Sequence, residues 1–186
     1  VPALIAGNAI VFKPSEKTPA VGEMLVDLYY QAGVPEGLVR LIVGGPDEGR
    51  ALTANPDVNG ILFTGSANTG IAINKAFAGQ PDKILALEMG GNNPIVVWDT
   101  PDIASAASLV AQSAFLSAGQ RCTAAKRLIV RDSLASLLIA EVKKIADRMI
   151  VDHPHANPQP YMGPVIDNQA ADGLTESFLI LMSNGG

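Results

Sequence analysis

Apolar positions along the first half of the chain fall into two kinds of block. Short, nearly continuous apolar runs rich in β-branched residues occur at 8–13, 38–43, 60–64 and 83–88, and each reads as a strand. Between the first two runs, Val21, Met24, Leu25 and Leu28 recur at i, i+3, i+4 and i+7, one face of a helix. Thr18 and Pro19 supply an N-cap and a proline at the first helical position, Gly33 a stop, and Pro35–Gly37 a turn. A short helix is predicted over 47–54, ending at Asn55-Pro56, and another over 68–78. In the second half the pattern predicts a strand at 95–98 and a helix opened by Thr100-Pro101 that runs to about Ser117. A strand at 128–130, a helix over 133–150 capped by Asp132, a proline-rich loop at 153–160 and a last helix over 167–182 follow.

Strands that are apolar on both faces and alternate with helices argue for an α/β fold, a parallel sheet with helices on both faces. Ligands of such sheets sit beyond the carboxyl ends of the strands, which directs attention to the residues after Phe12, Val43, Phe63 and Leu87. The run Gly90–Pro94 is the best internal boundary, dividing the chain into domains at 1–90 and 91–186.

Composition narrows the classes of partner. With 186 residues, 48% of them hydrophobic, the chain has ample material for a core. Thirteen Lys and Arg against eighteen Asp and Glu give a net charge of −5, which argues against nucleic acid or an anionic membrane as a partner. A single cysteine, Cys122, excludes an internal disulfide framework and fits a reducing, cytoplasmic compartment. No apolar stretch approaches the roughly 18 residues of a membrane-spanning helix. The opening Val1–Asn8 and the closing Ser183–Gly186 read as cut ends. The mean hydropathy of +0.25 suggests apolar faces whose partners lie elsewhere.

Four places could carry chemistry. Gly65, Ser66, Ala67, Asn68, Thr69 and Gly70 lie between a strand and the following helix, where backbone N–H groups and the helix dipole favour a phosphate. An ordinary glycine turn is the competing reading. Lys13 and Glu16 follow the first strand, where they could bond ribose hydroxyls or form a solvated charged turn. Cys122 follows a glycine break and stands next to Arg121, a setting that favours thiolate over thiol, although a lone cysteine is also a common small core residue. Glu88 closes an apolar strand ahead of Gly90-Gly91. Partial desolvation there would suit proton transfer; an ion-paired acid at a domain junction is the alternative. His153 and His155, flanking Pro154, lack a third ligand and read as loop residues, so no metal site is expected.

Taken in order, the strings Phe12–Pro19, Phe63–Ser66, Leu87–Gly91, Gly119–Cys122 and Met162–Ile166 resemble the aldehyde dehydrogenase superfamily over nearly the whole chain. The resemblance implies a Rossmann-like cofactor domain followed by the start of an α/β catalytic domain, and NAD-dependent oxidation of a small-molecule aldehyde. Cys122 would be the nucleophile that forms a thiohemiacetal and then a thioester, its backbone N–H an oxyanion donor. Glu88 would be the base that activates water. The run Gly65–Gly70 would lie under the pyrophosphate with Ser66 closest, Lys13 and Glu16 would meet the adenosine ribose, and Gly45 and Gly49 would line the adenine side. Glu16 leans toward NAD over NADP by charge repulsion. Within the superfamily, Glu88–Pro94 and Ser117–Thr123 point to a semialdehyde substrate; a simple aliphatic aldehyde is the alternative, as is a non-catalytic nucleotide-binding module. The resemblance further implies a homo-oligomer, and a central fragment that alone has little or no dehydrogenase activity.

Overall fold

The strands form where β-branched and aliphatic residues cluster, and they are joined two by two. The computed structural model describes residues 1–185; the expected end at Gly186 lies outside them. The chain divides into two compact units, one of Val1–Thr64 with Asn68–Leu87, the other of Gly65–Ala67 with the chain from Glu88 onward.

The first unit holds α1 (Pro2–Ile5), β1 (Ile10–Phe12), α2 (Pro19–Gln31), β2 (Val39–Leu41), α3 (Pro46–Ala54), β3 (Gly60–Gly65), α4 (Ala67–Phe77) and β4 (Ile84–Met89), the last residues of β3 and β4 and the first of α4 grouping with the second unit. β1 and β2 run parallel, with Ile10, Val11 and Phe12 opposite Val39, Arg40 and Leu41. The Tyr30 hydroxyl of α2 donates to the Val39 carbonyl at 2.6 Å, and Val39 is fully buried. Gly22 lets α2 approach the turn after β1, because a Cβ there would stand 2.5 Å from Pro14 Cγ. β3 pairs with β4.

The second unit continues with β5 (Asn93–Val97), α5 (Ile103–Phe115), a 3-10 turn (Leu116–Gly119), β6 (Ala125–Val130), α6 (Asp132–Ala146) and α7 (Asn168–Ser183). β5 and β6 run parallel, with a register shift between Asn93 and Pro94. Their core is made of small residues and one large one: Ala107, Val110 and Ala111 of α5, Ala124 just before β6, Ala125 at its start, and Leu138 of α6. Alanines let α5 and α6 pack closely, and removing such apolar surface from water is the main favourable term here.

The expected α/β class with parallel strands and helices holds. One continuous sheet does not: the described strands form the pairs β1–β2, β3–β4 and β5–β6. Apolar runs identify strands but carry no information about which strand is the hydrogen-bonded neighbour. Two helices differ at their boundaries, and one expected cap sits in place without its side-chain bond. Helix α5 starts after Asp102, whose carboxylate accepts from Ala104 and Ser105 N–H, while the Thr100 hydroxyl accepts from Asp102 N–H in the preceding turn. Helix α6 starts at Asp132, with Arg131 in the cap position, and ends at Ala146. Thr18 occupies the cap position of α2 without a side-chain bond to the helix.

Candidate active site

Cys122 sits on the loop that joins α5 to β6, and the backbone of that loop is unusual. Ser117, Ala118 and Gly119 have φ of 57°, 55° and 67°, three left-handed residues in succession. Non-glycine residues take this conformation at a cost of about 1–2 kcal/mol each. Gly119 has no alternative, because a Cβ would lie 2.8 Å from the Ala114 carbonyl oxygen. Side chains fasten the loop at several points. Lys126 Nζ donates to Gly119 O at 2.5 Å, and Gln120 Nε2 to Ser117 O at 3.2 Å. Asn93 Nδ2 donates to Cys122 O at 2.5 Å and to Ala124 O at 3.4 Å. Ile166 N–H donates to Gln120 Oε1 at 3.3 Å, bringing the Met162–Ile166 string to the same loop. The result is an exposed, free thiol held between buried Gly119 and buried Ala124.

Glu88 lies near the end of β4 and is exposed, not partly desolvated as its position at the end of an apolar strand suggests. The reason is the pleat: burial alternates along β4, with Leu87 and Met89 half-buried and Glu88 on the opposite face. Glu88 and Cys122 belong to the same unit. The segment that carries the acid is tied to the segment that carries the thiol by Asn93, by Arg127 Nε donating to Asn92 O at 3.1 Å, and by the pairing of Asn93 with Ala125.

In the first unit, Lys13, Gly45 and Gly49 come together where β1 and β2 end. Lys13 Nζ donates to Gly44 O at 2.7 Å and to Pro14 O at 3.2 Å, and a Cβ on Gly49 would touch its Cε at 3.6 Å. Gly45 opens α3, its N–H bonded to Glu48 Oε2 at 2.7 Å. Glu16 is exposed in the turn after Lys13. Ser66 alone separates β3 from α4; Gly65, Ala67, Asn68 and Thr69 are exposed around it and Gly70 is buried against the helix side. This run divides between the two units, Gly65–Ala67 with the second and Asn68 onward with the first.

The donor chemistry fits a dinucleotide. A lysine ammonium carries three N–H donors, and two serve the Gly44 and Pro14 carbonyls, which leaves one for a sugar hydroxyl. A strand that turns into a helix within one residue presents N–H groups to an anion. An open depression of the second unit, lined by Glu141, Lys144, Arg148, Gln159 and Tyr161, contains none of the expected site residues. The rings of His153 and His155 lie 5.4 Å apart between centroids and are tilted by 54°, and no group of three metal-ligating side chains occurs among the described residues.

The profile of the Aldehyde dehydrogenase family matches residues 1–185. The chain belongs to that family. It is similar to proteins named N-succinylglutamate 5-semialdehyde dehydrogenase from Sphingopyxis alaskensis, at 73% identity over the whole chain, and from Novosphingobium aromaticivorans, at 63%. The chain spans about two fifths of the length of these relatives, 39% and 40%. Among solved structures it resembles a Bradyrhizobium japonicum Proline Utilization A protein, with a TM-score of 0.90 and 36% identity over 97% of this chain and 19% of that one. It also resembles an NAD-dependent aldehyde dehydrogenase from Sinorhizobium meliloti, with a TM-score of 0.89 and 28% identity over 95% of this chain and 35% of that one.

Sequence reasoning passes over Asn93 and Lys126. The signal that could have found Asn93 is its place: an amide at the first position of a strand, one residue beyond Gly90-Gly91. Its partner Cys122 is 29 residues away, and no local pattern reports such a bond.

Proposed function

We propose that this chain is the cofactor-binding and nucleophile-bearing part of an NAD-dependent enzyme that oxidises N-succinyl-L-glutamate 5-semialdehyde to N-succinyl-L-glutamate in arginine catabolism. The observation that carries this reading is the exposed Cys122 on a loop of left-handed residues tied down at both ends. The names of the relatives at 73% and 63% identity support the substrate. In this reading residues 1–90 belong to the NAD-binding domain and 91–186 open the catalytic domain.

Each step assigns a role to a residue of the chain. The Cys122 sulfur attacks the aldehyde carbon, the carbonyl π pair moves to oxygen, and the Cys122 backbone N–H donates to the resulting oxyanion. Bound NAD supplies the acceptor for the hydride that leaves the tetrahedral carbon. Cys122 then carries a thioester. Glu88 takes a proton from water as the water oxygen attacks the thioester carbon; the C–S bond breaks with its electron pair going to sulfur, the carboxylate product leaves, Cys122 is restored as the attacking thiolate, and Glu88 gives its proton to solvent. Exposure of Glu88 supports this role, because the attacking water comes from solvent.

For the cofactor, Lys13 and Glu16 meet the adenosine ribose, Gly45 and Gly49 border the adenine, and Gly65, Ser66, Ala67, Asn68, Thr69 and Gly70 receive the pyrophosphate. The negative charge of Glu16 disfavours a 2′-phosphate and so favours NAD. The lone thiol suits a reducing, cytoplasmic setting. Exposed Leu174, Phe178 and Leu179 on α7 support contact with further protein, in keeping with a homo-oligomer. No helix among the described residues is long and apolar enough to cross a membrane.

A second reading, oxidation of a related semialdehyde, is favoured by the likeness to a Thermus thermophilus 1-pyrroline-5-carboxylate dehydrogenase structure, at 34% identity and a TM-score of 0.80. The test is a chimaeric enzyme in which this chain replaces the corresponding stretch of the Sphingopyxis alaskensis relative. Its turnover is measured on succinylated, free and aliphatic semialdehydes with NAD and NADP. Preference for N-succinylglutamate semialdehyde and NAD supports the proposal; preference for an unsuccinylated semialdehyde favours the second reading.

A further inference from the structure

We propose that Glu48 is a positioning residue for the cofactor: it fixes the Gly44–Gly45 peptide against which the Lys13 ammonium is held. The inference rests on the reading of Lys13 as a contact of the adenosine ribose. The hydrogen-bonded ladder of β1 and β2 ends where Ile42 N–H donates to Phe12 O at 2.9 Å. Two residues further on, side chains take over. Lys13 Nζ donates to Gly44 O at 2.7 Å, and Gly45 N–H donates to Glu48 Oε2, also at 2.7 Å. That carbonyl and that N–H belong to one peptide group, the one that joins Gly44 to Gly45. In a planar trans peptide the two point in opposite directions. The carboxylate on the N–H therefore sets the direction of the carbonyl, and the carbonyl sets the place of the ammonium.

Three further features suit Glu48 to this task. It is the third residue of α3, in the first turn, where the helix dipole favours a carboxylate. Both bonds are charge-assisted, an ammonium on the peptide oxygen and a carboxylate on the peptide N–H. Gly44 leaves room for the acid: a Cβ there would stand 2.5 Å from Glu48 Cδ and Oε2. Gly44 is not among the glycines of positive φ, so the glycine serves the space and not the backbone conformation. Lys13 gives a second N–H to Pro14 O at 3.2 Å. With two of its three donors fixed, the direction of the third is fixed as well. A Cβ on Gly49, the residue after Glu48, would meet Lys13 Cε at 3.6 Å, which places the lysine stem beside the first turn of α3.

The test uses the chimaeric enzyme with Glu48→Ala, Glu48→Gln, Gly44→Ala and Lys13→Met. Four quantities are measured: Kd for NAD, Kd for adenosine monophosphate (the adenosine ribose without the nicotinamide), kcat at saturating NAD, and the midpoint of denaturant unfolding. Glu48→Ala should raise both dissociation constants about 3- to 10-fold, with kcat within about twofold of the parent. Glu48→Gln keeps an oxygen that accepts from Gly45 N–H and should bind both ligands within about twofold of the parent. Gly44→Ala pushes the Glu48 side chain off that N–H and should reproduce Glu48→Ala, the double variant being no weaker than either. Once Lys13 is gone there is nothing to position, so adding Glu48→Ala to Lys13→Met should change neither constant by more than about twofold. Lower stability with parental NAD affinity in Glu48→Ala overturns the proposal and leaves Glu48 a helix cap only. So does a loss of NAD affinity without one for adenosine monophosphate, a Glu48→Gln enzyme as weak as Glu48→Ala, or an undiminished effect of Glu48→Ala in the Lys13→Met background. If Glu48→Ala fails to fold, Gly44→Ala decides. Lys13→Met separates the two layers: parental affinity for both ligands in that variant removes the reading of Lys13 itself, whereas a loss there with parental affinity in Glu48→Ala and Gly44→Ala removes only this inference.

Discussion

Replacing Gly119 by alanine tests the loop on which Cys122 stands. The residue has φ of +67°, and the new Cβ would lie 2.8 Å from the Ala114 carbonyl oxygen, where ordinary contacts begin at 3.4 Å. The left-handed backbone alone costs a residue with a Cβ about 1–2 kcal/mol. Relief of the contact requires a shift of at least about 0.6 Å in the loop or in the end of α5, since the obstacle is backbone and cannot rotate away. Overpacking of this kind adds about 1–3 kcal/mol, for a total of about 2–5 kcal/mol. The shift also displaces the Lys126 bond to Gly119 O and the chain leading to Cys122. Displacements near 1 Å in a reacting group can cost about 100-fold, so kcat should drop at least 10-fold on that scale. Denaturant unfolding and steady-state kinetics of the chimaeric enzyme measure both effects. Gly163→Ala is the control, because the nearest atom to its Cβ would be the Asp152 carbonyl oxygen at 3.9 Å; it should change stability by less than about 0.5 kcal/mol. A Gly119→Ala enzyme with parental stability and kcat would refute the reasoning.

Other expectations follow from the same structure. Glu88→Gln should leave thioester formation intact and stop its hydrolysis, so that acyl-enzyme accumulates on Cys122 and is seen by intact-mass spectrometry after quenching; slow turnover with no adduct would assign the base elsewhere. Asp102 is held below the usual carboxylate range, first by the Ser105 hydroxyl, then by the Ser105 N–H, with the Ala104 N–H a smaller contribution against slight desolvation. Because its folded value is the lower one, its contribution is present above the unfolded value near about 3.9 and is lost as pH falls through the folded value. Asp102→Asn should therefore reduce the loss of thermal stability between about pH 5 and pH 2, read from Tm against pH. Leu138 is fully buried in α6, and Leu138→Ala should cost about 2–5 kcal/mol in denaturant unfolding, with little change in the KM for NAD.

The succession of strands and helices was legible because the strands are continuous apolar runs, even though alternate residues of β4 and β5 are exposed, and burial on one face of a helix leaves a 3.6-residue period. Boundaries were less so. Thr100 and Asp102 are both good cap residues, and only the bonds from Ala104 and Ser105 to Asp102 decide between them. Met149 and Ile150 continue an apolar pattern past Ala146, where the helix has already ended. The exposure of Glu88 follows from which way the pleat turns, a tertiary property. For the candidate site, the residue types and their order along the chain were readable. The fastening of the thiol loop was not, because the bonds from Asn93 to Cys122 and from Arg127 to Asn92 join positions 29 and 35 residues apart. The left-handed run at Ser117 and Ala118 has no glycine to announce it.

The central claim is that the sulfur of Cys122 carries the substrate during turnover. Acid-quenching the chimaeric enzyme during oxidation of N-succinylglutamate semialdehyde, followed by peptide mass spectrometry, tests it most directly. The account predicts an added N-succinylglutamyl acyl group on the peptide that contains Cys122, and no turnover in Cys122→Ala. Sustained oxidation by Cys122→Ala, or an acyl group found on any other residue, would contradict it.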